Sequence, residues 1–487
     1  MRDIENKINC NGKNLSLLSD YYEFTMAQAY YEQGIHERMA YFDLFFRQVP
    51  EQGGYAIMAG VSQIIEYLQN LKFDEEIIDY LRSCGFHEDF LEYLSKLEFS
   101  CDVDAIPEGT PIFPAEPLVR VRGPLIQCQL VETMLLLSIN HQSLIATKSA
   151  RIVRAAKGRK VIEFGARRAQ GYDASILGAR AAYIGGVAGT SCTLAAKLFG
   201  IPAMGTMAHS WVQAFDTEYE AFLAYAEVHP ENTQLLIDTY NTLQSGLPNA
   251  IRVHREFLEP RGESLKAVRI DSGDLTYLSQ KCREALDQAG LENCQIIVSN
   301  SIDEYLIREL LVQGATIDSF GVGERLITSR AEPVFSGVYK LSAIENADGK
   351  LEPRMKISEN PGKITNPGPK NVYRLYNDEG FAEADLICLE EEVIDDSKDL
   401  EIFDPLHTWK RKTLTNFKAR KLLEPIFRAG KLVYHEPSLD ESRDYAKEQL
   451  ATLWNSIKRL ENPQIYYVDL SQKLWDLKED ILQEKDR

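Results

Sequence analysis

Histidine is scarce in this chain, eight among 487 residues, and metal-site spacings are missing. The eight cysteines, at 10, 84, 101, 128, 192, 282, 294 and 388, form no Cys-x-x-Cys pair and have no histidine at zinc-ligand distance. Zinc modules are thereby excluded, and the thiols read as reduced core residues. No apolar run of about 18 residues is present to span a membrane. The stretch MRDIENKINCNGKN has neither the apolar centre of a signal peptide nor the Arg/Ser-rich character of a transit peptide, so a soluble cytoplasmic protein is expected. Positive charge is in deficit, 54 Lys and Arg against 73 Asp and Glu, a net −19. That balance argues against DNA, RNA or an anionic membrane as partner, because those surfaces need basic stripes to replace counterions. An anionic small substrate stays open, provided its positive pocket is built locally.

What is present is a chain 44% hydrophobic, long enough for two or three packed units. From residue 161 a unit recurs: a short apolar strand, a turn rich in Gly, Ser or Asp, then a helix. Strands are expected at 161–164, 186–188, 203–207, 267–270, 295–299 and 317–322, with helices after most of them. This alternation predicts a parallel sheet with right-handed crossovers, closed into an incomplete α/β barrel, whose strand-to-helix turns carry the chemistry. The flanks 39–47 and 101–123, with VYKLSAI and NVYRLYN beyond the barrel, read as strands of a mixed α+β domain made from both ends of the chain. The expected division is an N-terminal α+β domain at 1–140, the catalytic barrel at 141–345, a segment at 346–438 packing with the N-terminal domain, and charged amphipathic helices at 439–487.

The turns differ in what they say. In EFGARRAQG, the adjacent Arg167 and Arg168 either offer bidentate forks to a carboxylate or phosphate or pair with surface acids, and Phe164 reads first as core. GGVAGTSC lets a ligand approach the backbone, or simply packs tightly. MGTMAHSWV places His209 and Ser210 at a strand-to-helix junction; the histidine is either a cap or core residue, or a proton shuttle or phosphoryl acceptor. In VRIDSGDL, Arg269 can face phosphate, while Asp271 and Asp274 can hold magnesium or sugar hydroxyls, one of them being accounted for as a helix N-cap. FGVGERL ends the series with Gly321 and Gly323, whose amides can cradle a phosphate. Together these turns suggest a substrate carrying a phosphate and a second anionic group.

LLSDYYEFTMAQAYYEQG, EFGARRAQG, GTMAHSWV, VRIDSGDL and GVGERLITSRAEPVFSGVYKL, in this order over roughly residues 15–345, resemble the nicotinate phosphoribosyltransferase family. The resemblance implies the type II phosphoribosyltransferase fold, an incomplete α/β barrel with an N-terminal sandwich-like domain, here followed by the C-terminal helices. It implies a homodimer with shared sites that joins nicotinate to 5-phosphoribosyl 1-pyrophosphate, releasing nicotinate mononucleotide and pyrophosphate with hydrolysis of ATP, an entry to NAD biosynthesis. By the same resemblance His209 is the residue that ATP phosphorylates, beside pyrophosphate and Mg2+. Tyr22 stacks on the pyridine ring from across the dimer, and Phe164 supplies the opposite face. Arg167 takes the carboxylate or a nearby phosphate, Arg269 bridges substrate and phosphate, and Asp271 holds the ribose hydroxyls or magnesium. Gly321 and Gly323 present amides to the 5-phosphate, and Lys148 either meets phosphate or is an exposed helix lysine. Relatives that use nicotinamide carry an aspartate in the second turn; residues 185–192 have no acid, which favours a carboxylate substrate. The "ER" after Gly323 departs from the small residues of some relatives. The rivals are use of nicotinamide or quinolinate, a silent nucleotide-sensing relative, and a barrel hydrolase, for which no pair of turn-borne glutamates is found.

Overall fold

The computed structural model describes residues 14–405 and 407–485, so Cys10 lies outside the described residues. The chain divides into two compact units, one made of 1–144 with 334–487 and the other of 145–333. The division falls inside a 24-residue helix, Glu132–Ala155.

In the first unit a seven-stranded antiparallel sheet joins the two ends of the chain. Its order is Leu351–Pro353, Gly337–Glu345, Met39–Phe46, Val119–Pro124, Asp102–Ala105, Glu424–Arg428 and Lys431–Leu432. Met39–Phe46, MAYFDLFF, is buried along nearly its whole length. Its aromatic and aliphatic side chains are buried on both faces, which suits a central position in the sheet. The amphipathic helices Val61–Asn70, Glu75–Ser83 and Glu88–Ser95 send Ile64, Leu68, Ile77, Leu81, Phe90 and Leu94 into the same core. A four-stranded sheet follows, Lys418–Lys421, Lys370–Tyr376, Ala382–Leu389 and Tyr467–Leu470. The C-terminal stretch expected to be helical therefore holds the helices Leu439–Ala451 and Gln472–Lys485 with a strand between them. Tyr467–Leu470 pairs in parallel with Ala382–Leu389, whose hydrogen-bonding edge overrides the helical pattern of its neighbours.

The second unit is the barrel. Six parallel strands, β1 (Lys160–Glu163), β2 (Gly189–Thr190), β3 (Gln234–Leu236), β4 (Ala267–Ile270), β5 (Gln295–Val298) and β6 (Ser319–Val322), are ordered β2-β1-β6-β5-β4-β3. β2 and β3, consecutive in sequence, are the two edges, so the barrel is open between them. Where a strand was expected at 203–207, only Ala203 bridges to Thr190. Pro202 lacks a donor and Gly205 brings no side chain, so the segment cannot sustain a ladder. Gln234–Leu236 takes the edge position instead, too short for its pattern to show in sequence. The second strand starts at Gly189 rather than 186 because Gly185 and Gly186 (φ +104°) are still closing the helix Tyr172–Ile184.

Candidate active site

The parallel strands of the barrel end at the same face, and residues at or just past the ends of five of them line one cavity of about 440 Å³. From β1 come Phe164, Arg167 and Arg168; from β2, Ser191; from the following segment, Gly205 and Thr206. β4 contributes Arg269 and Asp271, β5 Ser299, Asn300 and Ser301, and β6 Gly321, Gly323 and Glu324. Phe164 is thus a wall of the cavity rather than a core residue. Its ring lies 5.4 Å from the Arg269 guanidinium carbon, and a Cβ on Gly321 would approach that ring to 2.5 Å. The glycine gives up its side chain so that the aromatic face can lie flat, a packing role that sequence alone did not suggest.

Arg167 and Arg168 sit in the single 3₁₀ turn Ala166–Arg168, both exposed to the cavity, and neither guanidinium has a partner among the described residues. The alternative of surface ion pairs is thereby removed. Two unpaired cations in a chain of net −19 form the local positive pocket that an anionic substrate requires.

At the opposite wall a hydrogen-bonded group is centred on Asp271. Its Oδ1 accepts from Arg269 at 3.1 Å and from the Ser299 hydroxyl; Arg269 Nε also donates to Ser299 at 3.0 Å. His209 opens the short helix His209–Gln213, with Nδ1 3.1 Å from the Thr239 hydroxyl and Nε2 3.9 Å from Asp271 Oδ2. The helix has no side-chain cap, and the imidazole is 42% exposed, so neither a capping nor a core role accounts for it. Ser210, next along, is exposed.

Two residues of this group escaped the sequence reading. Asp238, just beyond β3, accepts the Asp271 N–H at 2.9 Å and the Ser272 hydroxyl at 2.6 Å, while its Oδ1 is buried without a partner. Thr239 follows it and meets His209. The signal was available: Ile237-Asp238 at the end of β3 repeats Ile270-Asp271 at the end of β4.

Other expected residues fall elsewhere. Asp274 caps the helix Leu275–Gln288 by accepting from Tyr277 N–H at 3.0 Å, the role open to one of the two aspartates. It is spent on the backbone and does not line the cavity. Lys148 is not an exposed helix lysine: it is buried against Glu304, Nζ to Oε1 3.0 Å, and it also stays out of the cavity wall. The ammonium fills a site that burial would make costly without its carboxylate. Tyr22, in the first unit on the helix Tyr21–Glu32, is 45% exposed; burial, Glu132 and Glu23 push its phenol pKa up.

A magnesium ion takes oxygen ligands, usually one or two carboxylates completed by water and substrate phosphates. Asp271, partly exposed at the cavity, and the unpartnered Oδ1 of Asp238 fit that pattern. No cluster of three or more His, Cys, Asp or Glu arranged for a metal occurs among the described residues.

An open parallel barrel with anion-ready arginines at the carboxyl ends of its strands defines the chain as a type II phosphoribosyltransferase in fold. Models of the nicotinate phosphoribosyltransferase N-terminal domain, family domain and C-terminal domain match residues 17–140, 159–383 and 369–478. Nicotinate phosphoribosyltransferase of Bacillus subtilis (strain 168) is 46% identical over 469 residues, 96% of this chain and 94% of its own length. The crystal structure of human nicotinic acid phosphoribosyltransferase superposes with a TM-score of 0.85 at 31% identity, covering 95% of this chain and 99% of that one. Nicotinate-nucleotide pyrophosphorylase from Pyrococcus furiosus gives 0.68 at 25% identity over 93% and 99%. With three matches in sequence order and a relative this similar end to end, the chain belongs to the nicotinate phosphoribosyltransferase family.

Proposed function

We propose that this chain joins nicotinate to 5-phosphoribosyl 1-pyrophosphate, giving nicotinate mononucleotide and pyrophosphate, with ATP consumed through phosphorylation of His209. The observation that carries the reading is the meeting, in one cavity, of an aromatic wall (Phe164), two unpaired arginines (Arg167, Arg168) and an uncharged second turn at Ser191. A ring bearing a carboxylate is attracted by the arginines and unopposed at Ser191, where an acid would repel it. Nicotinamide lacks the charge that the arginines reward.

In this mechanism the pyridine ring lies on Phe164 while Arg167 and Arg168 hold its carboxylate and a phosphate of the second substrate. Arg269, fixed by Asp271 and Ser299, keeps positive charge beneath the ring and holds the Asp271 carboxylate towards the ribose, where it stabilises the oxocarbenium-like charge that develops as pyrophosphate leaves. Asp271, with Asp238 behind it, would hold a magnesium ion, which would supply charge neutralisation for the polyphosphate. His209 takes the γ-phosphoryl group of ATP on a ring nitrogen as ADP leaves, and hydrolysis of the phosphohistidine by water to inorganic phosphate draws the cycle forward. Gly323, at the start of the short helix Glu324–Ile327, offers its amide to the 5-phosphate.

The working unit is a homodimer in which Tyr22, exposed beside Tyr21 and Leu18, reaches the partner's pyridine site. All seven described cysteines are free, in keeping with a reducing, cytoplasmic setting. No described helix is long and apolar enough to cross a membrane. Incubating the protein with phosphoribosyl pyrophosphate, magnesium and either nicotinate or nicotinamide, with and without ATP, tests the reading. Nicotinate mononucleotide boosted by ATP is expected; product from nicotinamide alone overturns it.

A further inference from the structure

The last residue of β1, Glu163, is fully buried, directly before Phe164 of the cavity wall. Its carboxyl reaches two turns at once. One oxygen accepts the N–H of Gly165, in the turn that carries Phe164, Arg167 and Arg168. The other accepts the hydroxyl of Thr190 at 2.6 Å, and that hydroxyl accepts the Cys192 N–H at 2.9 Å, closing the turn that carries Ser191. Its backbone carbonyl takes the Ser191 N–H at 2.9 Å. Gly165 is cut to fit: a Cβ there would come within 2.5 Å of Ile327 and 2.8 Å of the Glu163 carboxyl.

A buried carboxyl with no cationic partner among the described residues is an expensive way to join two loops; two apolar side chains would be cheaper. Burial pushes its pKa up, and the hydrogen bonds from Thr190 and Gly165 pull against that rise. What the carboxyl does that apolar packing cannot is fix the direction of two donors at once, and so the spacing between the Phe164 face and Ser191.

We infer that Glu163 is a positioning residue for substrate selection, setting the width of the slot between the Phe164 ring and the Ser191 turn in which the pyridine carboxylate is admitted. The inference rests on the proposed use of nicotinate. It adds a buried residue that touches no substrate, and it separates pyridine recognition, set by Glu163, from the phosphoryl chemistry at His209.

The test uses Thr190→Val, which keeps the side-chain shape and removes the donor, with Glu163→Gln and Glu163→Ala in the full chain. In Thr190→Val and Glu163→Ala, KM for nicotinate rises by about ten-fold, the scale of one lost buried hydrogen bond to a charged group. The ATPase activity at His209 stays within about two-fold, since its contacts lie on other turns, and KM for phosphoribosyl pyrophosphate rises much less than that for nicotinate, since only the arginine contact to its phosphate shares the Glu163 turn. The preference of kcat/KM for nicotinate over nicotinamide falls in the same variants, and Glu163→Gln, which retains size and one acceptor, restores most of it. Equal rises in both KM values, or variants that all unfold below the assay temperature, make Glu163 a structural residue only and overturn the inference. Failure of the parent protein to use nicotinate overturns the functional reading itself, a result read before any variant is made.

Discussion

His209 is held at one ring nitrogen by Thr239 and faces Asp271 with the other, an arrangement suited to a side chain that gains and loses a charged group. His209→Ala is expected to leave the thermal melt unchanged while abolishing stimulation of synthesis by ATP; stimulation that survives removes the histidine from the coupling. Arg167→Ala should weaken binding of nicotinate or phosphoribosyl pyrophosphate by about 1.5–3 kcal/mol, the scale of a charged hydrogen bond, seen as a raised KM. Arg167, Arg269, Asp271 and His209 were singled out in sequence because each lies at or within a few residues of the end of a strand signal, whereas Phe164, by position alone, read first as core. Glu163, Asp238 and Thr239 were not singled out. Their importance lies in contacts between turns 27 to 33 residues apart, Thr190 to Glu163, His209 to Thr239 and Asp271 to Asp238, which no local pattern announces.

At the scale of elements, four of the six barrel strands were read from alternation within a residue or two of their ends, because long helices frame them. The edges were misplaced, since a two-residue strand and a three-residue strand leave no period to detect. The turn after β5 shows what backbone geometry adds. Asn300 and Ser301 stand at φ 106° and 36°, in a region that ordinary residues avoid, directly on the cavity. Asn300→Gly relieves that strain and should raise stability by about 1 kcal/mol in urea unfolding, with a fall in kcat/KM as the turn loosens. The helix Tyr21–Glu32 carries a second device. Glu23 is buried against Thr133, and burial lifts its pKa to about 7, with Glu132 adding to the rise. The folded state therefore favours the neutral carboxyl, and stability drains away as pH rises from the ordinary glutamate value of about 4.3 through neutrality. Glu23→Gln has no such loss, so its advantage in Tm over the parent should widen from about pH 5 to pH 8 and level off beyond.

For the whole molecule, the proposed sharing of sites between copies makes a prediction that no single chain can satisfy. Mixed dimers of Tyr22→Ala with His209→Ala should recover part of the activity that each lacks alone, because one site then has both an intact Tyr22 and an intact His209. Verified mixed dimers that stay inactive count against a tyrosine supplied by the partner. The strand-like character of both ends of the chain was plain in sequence. That they share one sheet became visible only in the pairing of Met39–Phe46 with Gly337–Glu345, since pairing across so long a loop leaves no trace in local pattern.

That pairing sets a timetable. On the ribosome, Met39–Phe46 emerges with one neighbour available, Val119–Pro124, and must wait roughly 290 residues for the other, at synthesis rates of about 5–20 residues per second. Its open hydrophobic edge is exposed throughout, as a surface on which nascent chains can adhere to one another. The barrel, continuous in sequence, can meanwhile fold in a single pass. A strand made early is thus paired on its second edge only after the whole barrel has been made, and a chain stopped just short of residue 337 leaves the cell with a completed barrel attached to a sticky, half-built sheet.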